Sequence, residues 1–153
     1  MPAKKDIQNF RNPIPTTDII IEYRNGVKEG IVLVTRRNPP YGLALPGGFA
    51  EHGLTLEENA RKEAREETGL EVVLENPERP LCVHSDPRRD PREHIISVTY
   101  IGQGYGELKA GDDAKEAHLL SIGELCTLFG TGKLVFDHER ILKKYLEHRG
   151  YNI

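Results

Sequence analysis

Three carboxylates in one short stretch, Glu63, Glu66 and Glu67, are the residues whose types and spacing point most directly to chemistry. On a helix each residue advances about 100°, so the three fall within an arc of about 100° and face the same way. Like charges crowded in this manner repel and cost stability unless a cation offsets them. Oxygen-only ligands suit a hard ion such as Mg²⁺ or Mn²⁺. Glu63 and Glu67 stand one turn apart and can reach one ion, with Glu66 beside them for a second. Thr55, followed three positions on by Glu58, is a capping-box start for the helix that carries them, and Gly69 closes it near C′. Ahead of it, Gly47 and Gly48 read as a turn that uses backbone conformations closed to other residues. An arbitrary acidic cluster is more often a solvated face; the glycine pair and the capped start favour a metal site here.

The stretch from Gly48 to Leu70 resembles a Nudix box, with Gly48, Glu63, Ala64, Glu66, Glu67, Gly69 and Leu70 at the family's spacing. Two positions depart from it: the first Glu of the box is Leu54, and its Arg is Lys62. The resemblance implies a mixed sheet between helices, and metal ligation by Glu63, Glu66, Glu67 and the Gly47 carbonyl. It implies Mg²⁺- or Mn²⁺-dependent hydrolysis of a phosphoanhydride, with Lys62 pairing a ligand carboxylate without the bidentate fork of Arg. The family's catalytic base often lies in a later loop. In Gly111-Asp112-Asp113-Ala114-Lys115-Glu116 the first candidate is Glu116, with Asp112 and Asp113 behind. A solvated acidic turn competes with that reading.

Within the family, three further segments resemble ADP-ribose pyrophosphatases. They are Asn38-Pro39-Pro40-Tyr41-Gly42 with Leu45 to Phe49, then Ser85-Asp86-Pro87 with Arg89-Asp90-Pro91-Arg92, and Phe136-Asp137-His138. Tyr41 or Phe49 can stack on a base, and Arg89 and Arg92 can hold phosphate or ribose oxygens. The substrate this implies is ADP-ribose, cleaved to AMP and ribose 5-phosphate. A nucleoside triphosphate or dinucleoside polyphosphate, or a catalytically weak nucleotide-binding domain, stay open as alternatives. His84 and His94 flank the arginine loop and read as satisfied structural histidines.

Composition sets the frame. The 153 residues suit one domain: an extended arm over 1–16 and a single domain over 17–153. A net charge of −3 gives no electrostatic footprint for nucleic acid. No apolar run reaches membrane-spanning length, and two cysteines, Cys82 and Cys126, read as reduced buried thiols, so a cytoplasmic protein is expected. An arm without its own core needs a surface, which raises a homodimer through the arm and first hairpin.

The elements that must position the carboxylates follow from pattern. Ile19–Tyr23 and Ile31–Thr35 about Asn25-Gly26 predict a hairpin. Residues 72–74, 81–84, 95–101 and 117–120 read as strands, with Gly102, Gly104, Gly106 and Gly111 punctuating a loop or second hairpin. Residues 122–129 read as a short helix and 137–148 as a terminal one capped by Asp137. Strands on both sides of a helix give an α/β (α+β) sandwich with a mixed sheet.

Overall fold

The computed structural model describes residue 7, residues 10–109 and residues 116–152. Asp112 and Asp113 lie outside these. Eleven elements follow in order: β1 (Ile14–Arg24), β2 (Glu29–Thr35), β3 (Leu43–Ala44), β4 (Gly47–Phe49), α1 (Leu56–Thr68), β5 (Glu71–Leu74), β6 (Cys82–His84), β7 (Ile95–Tyr105), β8 (Ala117–Leu120), α2 (Ile122–Thr127) and α3 (His138–His148). The strands form one mixed sheet of order β3-β2-β1-β7-β5, with β4 also on β1, β6 on β7 and β8 on β2. Among the described strands β1 and β7 pair in parallel, in register from Ile14 with Ile95 to Glu22 with Gln103.

Central β1 is covered on both faces, so it reads as a near-continuous apolar run rather than an alternating one. Ile19, Ile21 and Tyr23 pack with Ala60, Ala64 and Leu70 on the α1 side. Ile20 packs with Leu125, Ile141, Leu142, Tyr145 and Leu146 on the side of α2 and α3. The result is the expected sandwich of helix, mixed sheet and helix. The first hairpin forms as expected, with Asn25 Oδ1 accepting from the Lys28 amide across its turn.

Several local expectations are corrected. Strand β1 begins at Ile14, inside the segment read as arm, because the Ile14 amide donates to the His94 carbonyl and starts the pairing with β7. Strand β7 continues through Gly102 and Gly104 to Tyr105. These glycines do not break the strand. They admit neighbours, since a Cβ at Gly102 would collide with Val72 and one at Gly104 would meet Ile21 and Leu70. Both cysteines are free but half-buried rather than fully buried. Asp137 stands at the N-cap of α3 without a side-chain cap bond, because its carboxylate is used elsewhere. Among the described residues, no helix is long and apolar enough to cross a membrane.

Candidate functional site

Helix α1 starts and stops as its sequence dictates. Thr55 Oγ1 accepts from the Glu58 amide and the Glu58 carboxylate accepts from the Thr55 amide, a reciprocal cap worth about 1 kcal/mol. Gly69 ends it at φ +76°, donating its amide to the Arg65 carbonyl. Asn59, fully buried, was not singled out from sequence. Its Nδ2 donates to Thr17 Oγ1 at 2.8 Å, and its Oδ1 accepts from the Glu51 amide at 3.1 Å. One side chain thus ties α1 to β1 and to the loop after β4.

The glycine pair is not a turn. Gly47 and Gly48 lie in β4, paired antiparallel with Asp18 and Thr17, and neither has positive φ. What they need is the absence of a side chain. A Cβ at Gly48 would stand 2.6 Å from the carboxyl carbon of Glu63, so the Glu63 carboxylate occupies that space against the strand. A Cβ at Gly47 would run into the Thr17 carbonyl and the Asp18 carboxylate.

The structure seats the three helix carboxylates differently. Glu67 is buried, with 7 % of its surface exposed; Glu63 is half-buried against Gly48; Glu66 is exposed. Lys62 Nζ bridges Glu66 at 2.7 Å and Glu51 at 3.1 Å, and these two carboxylates raise its pKa. Glu51, in the loop after β4, therefore has a partner. Among the described residues, no three His, Cys, Asp or Glu side chains form a group placed to hold an ion. The donor chemistry nonetheless fits a hard divalent cation. It offers only oxygen, including one buried carboxylate and another seated in a glycine-made recess.

Across β4 lies a pocket whose lining includes Asp18, Arg36, Phe49, Arg92, Phe136 and His138, together with Gly47, Gly48, Arg89 and Asp90. Its floor is a buried polar network. Ser97 Oγ donates to Asp18 Oδ2, and His138 Nε2 stands 3.7 Å from the same oxygen. His138 Nδ1 accepts the Leu45 amide at 3.0 Å, which places the imidazole proton on Nε2, towards Asp18. The same bond fixes the segment that leads into Gly47.

Of the predicted substrate contacts, Phe49 and Arg92 line this pocket together, with the Arg92 guanidinium 5.4 Å from the Phe49 centroid. Arg92 is also held by Asp90, Nε to Oδ1 at 3.0 Å and a terminal nitrogen to Oδ2 at 2.8 Å. Arg89 is committed elsewhere: its Nε and a terminal nitrogen grip Asp137 at 2.6–3.1 Å. Its side chain is 3 % exposed, so it braces the pocket wall. His84 Nδ1 meets the same Asp137 carboxylate at 2.8 Å, and His94 Nε2 meets the Ser85 carbonyl at 2.9 Å. Burial would raise the Asp137 pKa, but the bonds from Arg89 and His84 outweigh it and hold the value below the ordinary carboxylate range.

Tyr41 is 70 % exposed and outside the lining, because its loop folds onto Arg36, whose Nε donates to the Pro40 carbonyl at 2.9 Å. Arg36 itself was not singled out from sequence, where it reads as an ordinary loop arginine. Burial and the nearby Arg92 lower its pKa, against the opposing pull of Asp90, Glu67 and Asp18. Of these charges Asp90, Arg92 and Asp18 line the pocket with it and Glu67 stands on α1. Glu116 leads into β8 at the sheet edge, its side chain 76 % exposed and 3.8 Å from His118 Nε2.

Comparison with known proteins accords with this geometry. The NUDIX domain profile matches residues 13–145. The ADP-ribose pyrophosphatase of Methanocaldococcus jannaschii is 44% identical over 149 residues, covering 94% of this chain and 80% of that one. A MutT/nudix family protein from Enterococcus faecalis superposes with a TM-score of 0.73 at 30% identity, over 91% of this chain and 62% of its own. A bifunctional NMN adenylyltransferase/ADP ribose pyrophosphatase from Francisella tularensis, complexed with AMP and a Mn ion, gives 0.73 at 27% identity over 92% and 43%. This chain therefore spans less than two thirds of either solved structure.

Proposed function

The chain belongs to the Nudix family, and from that premise we propose that it hydrolyses ADP-ribose to AMP and ribose 5-phosphate. One observation carries this reading: a recessed and a buried carboxylate on the box helix meet, across two glycines, a pocket walled by arginine and aromatic side chains. A nucleotide joined through pyrophosphate to a sugar needs both, an acidic face for cations and a basic, aromatic wall for the rest. The curated relative named for that activity supports the choice of substrate.

Nudix hydrolases act with divalent metal ions, and Mg²⁺ is the ion proposed here, with Mn²⁺ as its substitute. Glu63, Glu66, Glu67 and the Gly47 carbonyl would hold it. When bound, divalent cations offset the charge of the pyrophosphate and activate water for attack on phosphorus. The chain's own residues do the rest. Lys62 orients Glu66, Asn59 fixes the loop after β4 against α1, and Glu116 is the proposed proton acceptor for the attacking water. Phe49 and Arg92 hold the nucleotide end. Arg89 acts by holding Asp137, and Tyr41, facing solvent, contributes only if its loop closes on the substrate.

The proposal extends to a cytoplasmic protein, which the two free thiols support. It extends also to a homodimer, supported by exposed Phe10 on the arm, Ile14 at the start of β1 and Val27 on the hairpin turn. A monomer in sedimentation equilibrium removes that part. The activity is tested by giving the purified protein Mg²⁺ with ADP-ribose, ATP or a diadenosine polyphosphate and identifying the products. The highest kcat/KM is expected for ADP-ribose; a preference for either of the others overturns the assignment.

A further inference from the structure

Phe136 is the one non-glycine residue with positive φ among those described, at +56°. A bulky aromatic side chain in the left-handed region is strained and persists only where its surroundings over-determine it. They do so here from both sides. The Val135 amide donates to the Leu43 carbonyl at 3.0 Å, Asp137 is gripped by Arg89 and His84, and His138 accepts the Leu45 amide. With its neighbours pinned, the ring is delivered into the pocket, where its centroid lies 5.2 Å from that of His138 in an edge-on contact.

That ring carries two cations. The guanidinium carbons of Arg36 and Arg92 each lie 5.0 Å from its centroid. Both guanidiniums are fixed at another edge, Arg36 by the Pro40 carbonyl and Arg92 by Asp90. Two positive groups near one ring repel each other, and the ring's negative face offsets part of that repulsion. An oxyanion between them would remove the remainder, and planar guanidiniums match phosphate oxygens in geometry as well as charge. In the lining Arg89 is paired with Asp137 and Arg92 with Asp90, while Arg36 is held by the carbonyls of Pro39 and Pro40.

We propose that Phe136 is a positioning residue that holds Arg36 and Arg92 as a paired-guanidinium receptor for a phosphate or pyrophosphate oxyanion. The identity of the substrate bearing that group rests on the reading above; the receptor does not. The test compares Phe136→Leu, which keeps bulk but removes the aromatic face, with Phe136→Tyr, which restores it. Inorganic pyrophosphate is titrated calorimetrically without divalent ions, and KM and kcat for ADP-ribose are measured with Mg²⁺. Phe136→Leu is expected to weaken pyrophosphate binding and raise KM by about 10-fold, the scale of lost cation–π contacts, with kcat nearly unchanged. Phe136→Tyr is expected to bind like the wild type.

Pyrophosphate bound equally by the wild type and Phe136→Leu overturns the proposal, as does a Tyr variant that loses as much as Leu. Should Phe136→Leu fail to fold, Arg36→Lys keeps the charge without the planar stack and is expected to show the same loss; unchanged binding there overturns it equally. Phe136-dependent pyrophosphate binding in a protein that does not cleave ADP-ribose sinks the substrate assignment and upholds the receptor.

Discussion

On the α1 side of β4, the site is assembled from residues close in sequence: Gly48, Glu63, Glu66 and Glu67, held by a capped helix and a strand just ahead of it. On the other side, the pocket draws Asp18, Arg36, Phe49, Arg92, Phe136 and His138 from parts of the chain more than a hundred residues apart. The first region concentrates negative charge on a helix that helical geometry alone would align. The second sets arginines against aspartates: Arg92 and Arg36 are fixed by the nearby Asp90 and Pro40, and Arg89 by Asp137, which only the tertiary fold brings near. One side is suited to catalysis through cations; the other is suited to recognition and owes its shape to buried ion pairs.

Substitutions should separate these two characters. The largest effect is expected from Glu67→Gln, lowering kcat by about 10³-fold at saturating Mg²⁺ with the fold intact by circular dichroism. Near-normal turnover there would remove α1 from the chemistry. Glu116→Gln should lower kcat by about 10²-fold and abolish the acid limb of the pH–rate profile, since an open geometry without substrate does not disqualify a base. If rate and limb both survive, the proton acceptor lies elsewhere.

The pocket should respond first in stability. Asp137→Asn leaves Arg89 buried without its counter-charge and is expected to cost about 3 kcal/mol, lowering Tm by roughly 6–12 °C. The sign of its pH dependence follows from the depressed folded pKa of Asp137. Its contribution is complete above the unfolded carboxylate value of about 3.9 and is lost as pH falls through the lower folded value. Acid unfolding should therefore narrow the gap between wild type and Asp137→Asn, and a constant gap down to strongly acid pH would refute the ion-pair account.

Arg92→Ala should raise KM for ADP-ribose about 10-fold while changing kcat less, because a ground-state contact is what is lost. A change confined to kcat would move Arg92 to the catalytic side of the comparison. Smallest is Lys62, whose partners are half-exposed: Lys62→Ala should slow turnover only severalfold, and Lys62→Arg less than that. Equal rates in the two would make the Glu51–Lys62–Glu66 bridge a bystander.

The contrast also explains what could be read from the sequence. Periodicity and capping fixed α1 from Thr55 to Gly69, because both are local rules. The sandwich was legible because β1, β2 and β7 carry apolar runs long enough to be buried strands. Gly47 and Gly48 were recognised as special for the wrong reason: glycine signals either a left-handed backbone or a close approach, and only the partner across the gap, Glu63 or Asp18, tells which. Asp137 matched a helix cap by position, and nothing in sequence announces Arg89 and His84 as competitors for its carboxylate. Arg36 was hidden for a similar reason, and Phe136 showed only as part of a segment resembling the family, since the pairing of its ring with Arg36 exists only in the fold.

The parallel pairing of β1 with β7 has a consequence for how the chain is born. Ile14 meets Ile95 and Glu22 meets Gln103, so the central strand finds its neighbour about eighty residues downstream. During synthesis the first hairpin and α1 emerge while the middle of the sheet is still unpaired, its isoleucines open to other nascent chains. Closure over so long a loop is slow. Refolding from denaturant should accordingly be limited by this joining, and a ribosome paused before residue 95 should hold a product that proteases still cut within β1.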